Sequence, residues 1–215
     1  MWFFPFVCSV MLAVPRQDTT MLDEHFVDSL HIGRKHHNKV EVSQYSRGDS
    51  IYVIIRFYAR AGVRWSLKQQ IRFRKSDAID CDPKISDFNH DGYNDLTCVS
   101  LEAARGANEV RRLYIYNKEE DRLVYMKNSE NYPNMQYNLY LNCIDAWEVY
   151  GGCRTVFLRV RGDRLQEFAA VEIYDGLLAV SENDKHGKEK VIRRMKFDKG
   201  DMTRFKSYKP LIPYD

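Results

Sequence analysis

Oxygen-bearing residues alternate along one short acidic stretch, D-F-N-H-D-G-Y-N-D, at Asp87, Asn89, Asp91, Tyr93 and Asp95. Ca²⁺ binds six to eight oxygens at about 2.3–2.6 Å, and oxygens from alternate positions of a tight loop can converge on one ion. The Asp and Asn residues would supply side-chain oxygens and Tyr93 its backbone carbonyl. Asp95 would close the shell directly or through water. The spacing therefore predicts a calcium site.

The residues around this loop set its type. Gly92 allows a sharp turn that a Cβ would hinder. Cys98 stands at the twelfth position, where an EF-hand carries a bidentate Glu, and the sequence leaving the loop predicts a strand. This is therefore an EF-hand-like loop without the EF-hand. The alternatives are an ion-free turn rich in Asp, Asn and Gly, or Mg²⁺, which prefers a more rigid octahedral shell.

Four cysteines form an even set, and a fifth, Cys8, lies apart from them. Cys81 and Cys98 bracket the acidic loop, whereas Cys143 and Cys153 flank a Gly-Gly turn. Two local disulfides would fit an oxidising compartment. Four unpaired buried thiols in a cytosolic protein are the alternative. The spacings do not match a C-x-x-C zinc pattern.

The N-terminus begins with an apolar run at Trp2–Val14. The run is too short to span a bilayer and has the length of a signal-peptide core, although no Lys or Arg precedes it. We expect a signal or leader over residues 1–20 and a periplasmic or secreted protein with no transmembrane span. A buried N-terminal strand or helix is the alternative. Residues 21–38 would form an N-terminal extension, and residues 39–215 the calcium-binding β domain.

Strand patterns dominate from Lys39 onward. Ile51–Tyr58 and Arg154–Arg161 are rich in β-branched and aromatic residues, and Gly-containing turns separate neighbouring runs. Many short strands at near-regular spacing predict an all-β fold, with antiparallel strands in a sandwich or a small propeller-like arrangement. Met21–Leu30 spaces Leu and Phe residues four apart, so a short N-terminal helix is possible there.

Composition and motifs favour a binding protein over an enzyme. The net charge of +3 is too small to indicate nucleic-acid binding, and the local basic excess at Lys185–Lys209 reads as a solvated face or a surface for an acidic partner. No nucleophile elbow, phosphate-binding loop or H-E-x-x-H motif is present, so no catalytic residue is predicted. Rigid aromatics among small polar residues predict partner contacts at Tyr132, Met135 and Tyr137, unless the Tyr side chains pack down.

The stretch Ile85–Leu96 (ISDFNHDGYNDL) resembles the calcium loop of FG-GAP-type repeats. With the order of segments that follow it, the chain resembles more closely the bacterial periplasmic proteins related to inhibitors of invertebrate-type lysozyme, a group that includes secretion-system immunity proteins. The corresponding segments are Gly106–Asn108, Leu113–Tyr116 with Leu123–Tyr125, and Val156–Tyr174.

This resemblance implies an exported, calcium-bearing, all-β protein that blocks the cleft of a peptidoglycan-degrading enzyme. The expected partner is a protein, a cell-wall hydrolase, and no turnover is expected. One alternative is a structural or adhesive FG-GAP-like module. The other is a glycan hydrolase, which would need two carboxylates on an open cleft, about 5 Å or 6.5–9.5 Å apart.

Overall fold

The computed structural model describes residues 19–197 and 202–215. The predicted leader lies outside these residues, except for its last two positions. The described chain is all-β, as predicted, with antiparallel sheets and two short 3-10 turns at Ala104–Gly106 and Ser129–Asn131.

The first sheet contains four antiparallel strands in chain order, β1 (Met21–Asp28), β2 (Asn38–Arg47), β3 (Ser50–Ala61) and β4 (Arg64–Lys75). Alternating side chains divide it into two faces, because successive strand residues point to opposite sides. On β3, Val53, Ile55 and Phe57 are fully buried, whereas Tyr52 and Ile54 are half-buried on the other face.

The prediction of a short helix at residues 21–30 is wrong. Met21–Asp28 is instead the edge strand of the first sheet and pairs with β2 from Met21↔Ser46 to Asp28↔Val40. Phe26 packs against the buried core of this sheet. Hydrogen bonds to β2 thus favour a strand over a helix in this segment, because short isolated helices are marginal in water.

The second sheet has the order β5 (Lys84–Ser86), β6 (Asp95–Ala103), β7 (Asn108–Asn117) and β8 (Arg122–Tyr125). It lies between two cores. Tyr114 and Tyr116 of β7 belong to the cluster shared with the first sheet, and Leu113 and Ile115 to the cluster shared with the third.

The third sheet is the largest and runs in the order β14-β13-β12-β11-β10-β9. Its strands are β9 (Gln136–Asn138), β10 (Cys143–Val149), β11 (Cys153–Arg161), β12 (Arg164–Tyr174), β13 (Leu177–Asn183) and β14 (Glu189–Lys196). A hairpin of β15 (Phe205–Tyr208) and β16 (Leu211–Pro213) follows, and Phe205 is buried against this sheet. In the described part of the chain, no helix is long and apolar enough to cross a bilayer.

Candidate metal centre and the adjoining surface

The acidic loop connects β5 to β6 in the second sheet. The pairs Ser86↔Asp95 and Ile85↔Leu96 bring its two ends together in a hairpin. The loop therefore begins and ends at fixed points of the sheet, which limits the positions that its carboxylates can take.

The loop side chains turn toward the backbone of their own loop. Asp87 accepts hydrogen bonds from the amides of Asp91 (3.1 Å) and Gly92 (2.9 Å). Asn89 Oδ1 accepts from the Asp91 amide at 3.3 Å, and Asp91 Oδ1 accepts from the Tyr93 amide at 2.9 Å. These bonds tie three of the predicted ligand residues to the backbone of one tight turn.

Asp95 is the buried member of the set, with 0% of its surface exposed. Its two carboxylate oxygens accept hydrogen bonds from the backbone amides of Phe88 and Tyr116, each at 2.8 Å. Burial raises the pKa of Asp95 to about 8, and the charges of Asp91 and Asp87 act in the same direction, whereas the two amide hydrogen bonds lower it. Asp95 thus joins the loop to β7.

The donor chemistry of the loop fits Ca²⁺. A carboxylate oxygen has two lone pairs, so an oxygen that accepts one amide keeps capacity for a cation. No three His, Cys, Asp or Glu side chains converge as a metal-holding group within residues 19–197 and 202–215. A complete shell would therefore need the amide oxygen of Asn89 and the backbone carbonyl of Tyr93 in addition to the carboxylates. These are the hard oxygen donors that Ca²⁺ takes.

The segment before β2 anchors the loop from outside. The Gly33 amide donates to the Asn94 carbonyl at 2.9 Å, and Asn94 Nδ2 donates to the His31 carbonyl at 3.0 Å. A Cβ at position 33 would lie 2.8 Å from Asn38 Oδ1 and 3.1 Å from the Tyr116 ring, so only glycine fits without displacement. Residues 31–33 thus form part of the frame of the loop.

The predicted partner contacts separate into two groups. Met135 is only 9% exposed and belongs to the core between the second and third sheets, and Tyr132 packs against that core. Met135 therefore has little surface to offer a partner, which corrects the prediction for this residue. Tyr137 remains half-buried at the surface.

A surface groove of about 690 Å³ surrounds Tyr137. We call it the Tyr137 groove; its lining residues are Gln136, Tyr137, Asn138, Leu139, Tyr140, Lys206, Ile212 and Tyr214. Leu139 is 81% exposed and Tyr140 is 52% exposed. The sequence analysis missed both, although the adjacent apolar residues of Tyr137–Tyr140 (YNLY) in a polar connection were a usable signal.

The Tyr137 groove lies against the acidic loop. The rings of His90 and Tyr137 stack with centroids 4.9 Å apart and an interplanar angle of 13°. The Tyr137 hydroxyl donates to Asn142 Oδ1 at 2.6 Å. The candidate metal loop and the candidate contact surface therefore share a direct side-chain contact.

A buried carboxylate holds the other wall of the groove. Asp145 of β10 is fully buried and forms an ion pair with Arg204, accepting from its Nε at 2.8 Å. Asp145 Oδ2 also accepts from Tyr214 Oη at 2.5 Å and from Asn138 Nδ2 at 2.8 Å. This network fixes the last segment of the chain beside β9.

All four predicted disulfide cysteines are buried, and Cys81, Cys98 and Cys143 carry free thiols. The Cys81 and Cys98 thiols interact, and burial, with this contact, raises the pKa of Cys98 well above its ordinary value. The Cys143–Cys153 pairing is wrong. Cys153 pairs with Val149, and Cys143 lies at the other end of β10, roughly 20 Å away along the strand. A disulfide needs Cα atoms within about 7 Å.

Comparison with known proteins identified no matching family model and no matching curated protein. The chain is similar to a solved structure of a Xanthomonas protein described as related to a type IV secretion system. The two share 8% sequence identity with a TM-score of 0.48, over 84% of this chain and 96% of that chain.

Proposed function

We propose that this protein is an exported, non-catalytic β protein that binds Ca²⁺ at Asp87–Asp95 and uses the adjoining surface to bind and inhibit another protein. The proposed target is a peptidoglycan-degrading enzyme, as the resemblance to lysozyme inhibitors and immunity proteins implies. The supporting observation is the contact between the acidic loop and the Tyr137 groove, where His90 stacks on Tyr137.

The case for calcium rests on oxygens and charge. Asp87 and Asp91 lie close enough to Asp95 for their charges to raise its pKa. Within the described residues, no Lys or Arg forms an ion pair with any of these three carboxylates. Like charges held together without a counter-ion are unfavourable, and a bound divalent cation would relieve the repulsion.

The case against a catalytic role rests on the same geometry. Asp87 and Asp91 are held against amides of their own loop, and Asp95 is fully buried. A glycan hydrolase needs one carboxylic acid and one carboxylate flanking a substrate bond. Carboxylates directed at one small turn suit a cation better than a sugar chain.

The case for a protein partner rests on the Tyr137 groove. Exposed Leu139 and Tyr140 adjoin Tyr137 and Tyr214 at the edge strand β9. Aromatic side chains in a shallow, partly apolar depression are common anchors of protein interfaces. The Asp145 network fixes Tyr214 and Asn138 in the lining of the groove, which would keep the surface ordered before a partner binds.

The calcium proposal is tested by isothermal titration of the chelator-treated protein with CaCl₂ and MgCl₂. We expect one Ca²⁺ per chain and weaker Mg²⁺ binding. The variant D91N should bind at least tenfold more weakly, whereas D175N, an equal charge change in an exposed turn, should bind like the wild type. Absence of a Ca²⁺ heat signal in the wild type, or equal losses in both variants, would contradict the proposal.

The inhibitor proposal is tested by mixing the purified protein with an invertebrate-type lysozyme and measuring peptidoglycan lysis. We expect stoichiometric inhibition, with no lysis by the protein alone, and a loss of inhibition in Y140A. The exposed Y174A, on β12, is the matched control. Lysis by the protein alone would overturn the non-catalytic assignment. A calcium-binding protein that inhibits no hydrolase would instead fit a structural module.

A further inference from the structure

A second surface lies on the first sheet, away from the residues that line the Tyr137 groove. A cavity of about 400 Å³ opens at one end of this sheet, lined by Arg47, Ser50, Tyr52, Arg72 and Arg74. The strand register explains the grouping, because Arg47 pairs with Ser50 and Tyr52 pairs with Arg74. Three neighbouring strands thus bring three arginines to one corner, which we call the arginine pocket.

The arginines of this pocket have no acidic partner among the residues that the structure describes. Within residues 19–197 and 202–215, no carboxylate lies within 4.0 Å of the guanidinium nitrogens of Arg47, Arg72 or Arg74. Asp49, in the adjoining turn, is exposed and forms no ion pair with them. Unpaired guanidinium groups that converge on a cavity attract anions, since each offers a fork of N–H donors that matches a carboxylate or phosphate.

Neighbouring side chains hold two of these arginines in place. The Arg72 guanidinium lies over the Tyr52 ring at 4.3 Å, and Arg74 Nη2 donates to Ser50 Oγ at 3.0 Å. Tyr45 stacks on Tyr52 with centroids 5.3 Å apart. Fixing a guanidinium before binding lowers the entropy that a ligand must overcome.

The surroundings favour a protein ligand over a nucleic acid. Single-stranded nucleic acids bind through bases stacked on open aromatic faces. Here Tyr52 already has Tyr45 and Arg72 against its ring. A sheet face that combines Tyr and Arg with half-buried Ile54 has the composition of a protein interface.

We propose that the arginine pocket binds the carboxylate side chains of an acidic protein segment. The proposal is independent of the calcium loop and of the Tyr137 groove, since it uses none of their residues. The arginine pocket would thus be a second recognition surface, and its partner would be an acidic protein.

The test uses the full chain and a fluorescein-labelled peptide of ten glutamates, followed by fluorescence anisotropy at low salt. The triple variant R47Q/R72Q/R74Q should bind about tenfold more weakly, because three surface charge pairs each contribute modestly. The matched control R105Q/R161Q/R164Q removes the same charge from exposed turns and should change affinity less than twofold. R72Q alone should give an intermediate loss, and serves if the triple variant fails to fold.

Three results would overturn the proposal. The first is equal loss of affinity in the pocket variant and the control variant, which would indicate non-specific attraction. The second is tighter binding of a ten-nucleotide thymidine strand than of the glutamate peptide at the same salt. The third is no binding of the glutamate peptide by the wild type.

Discussion

His90 stacks on Tyr137, and this contact links the acidic loop of the second sheet to the edge strand β9 of the third. His90 adopts a left-handed backbone conformation with φ 57°, so its ring direction depends on the shape of the loop. A cation that reshapes the loop would therefore move or fix His90. The stack offers a physical route from metal binding to the contact surface.

We predict that Ca²⁺ changes the environment of the Tyr137 ring. In NMR spectra of the wild type, the Tyr137 ring resonances should shift when CaCl₂ is added to chelator-treated protein. In H90A the shift should be much smaller, and stability should fall by only about 0.5–1.5 kcal/mol, the contribution of one aromatic pair. If CaCl₂ shifts the loop resonances of the wild type and leaves the Tyr137 ring resonances unchanged, the stack does not couple the loop to the ring.

We predict that chelation lowers thermal stability. A ligand at a hundred times its Kd stabilises the folded state by about 2.7 kcal/mol, which corresponds to roughly 5–10 °C in Tm for a chain of this size. Differential scanning calorimetry with CaCl₂ and with EDTA should show this difference. D91N should show little difference between the two conditions, and D175N should behave like the wild type.

In EDTA, we predict that stability falls as pH rises from about 4 to about 8. Burial raises the pKa of Asp95 from 3.8 to about 8, so over this interval the folded state holds a proton that the unfolded state has released. By linkage, unfolding becomes easier as pH rises, with a total effect of a few kcal/mol. Urea denaturation at several pH values measures the slope. With CaCl₂ the slope should be much weaker, because the cation favours the ionised carboxylate.

We predict that Cys81 and Cys98 form a disulfide when the protein is oxidised. Their thiols interact in the core, and a bridge closing a loop of this length stabilises by about 3 kcal/mol. Oxidised glutathione should raise Tm in the wild type and in C143S but not in C98S. Peptide mapping by mass spectrometry should find the Cys81–Cys98 bridge, and recovery of only reduced peptides would refute it.

We predict that D145N destabilises the protein strongly. It would remove a fully buried carboxylate and leave the half-buried Arg204 without its ionic partner, and breaking such a pair costs about 3–5 kcal/mol. D163N is the matched control, because its partner Lys127 is 60% exposed and a surface pair contributes about 1 kcal/mol or less. Guanidinium denaturation measures both. Similar losses in the two variants would show that the Asp145 network is not a stabilising centre.

The strands and the acidic loop were predictable because both depend on neighbours in the chain. Apolar residues at the alternate positions Val53, Ile55 and Phe57 indicate a strand with one buried face. The Asp, Asn and Gly residues of the acidic loop favour a turn by bonding to their own backbone. The helix considered at residues 21–30 failed for the opposite reason. Pairing with β2 decided that segment, and no local signal reports a partner strand.

The sequence by itself determined the all-β class, the turn positions and the spacing of the oxygen-bearing residues in the acidic loop, because side-chain period and backbone sterics act within a few residues. Only the tertiary structure decided that Asp95 is buried between the amides of Phe88 and Tyr116, and that Cys143 and Cys153 lie far apart. It also brought three arginines to one corner of the first sheet. These features depend on strand register and sheet packing, which sum many weak contacts between distant parts of the chain.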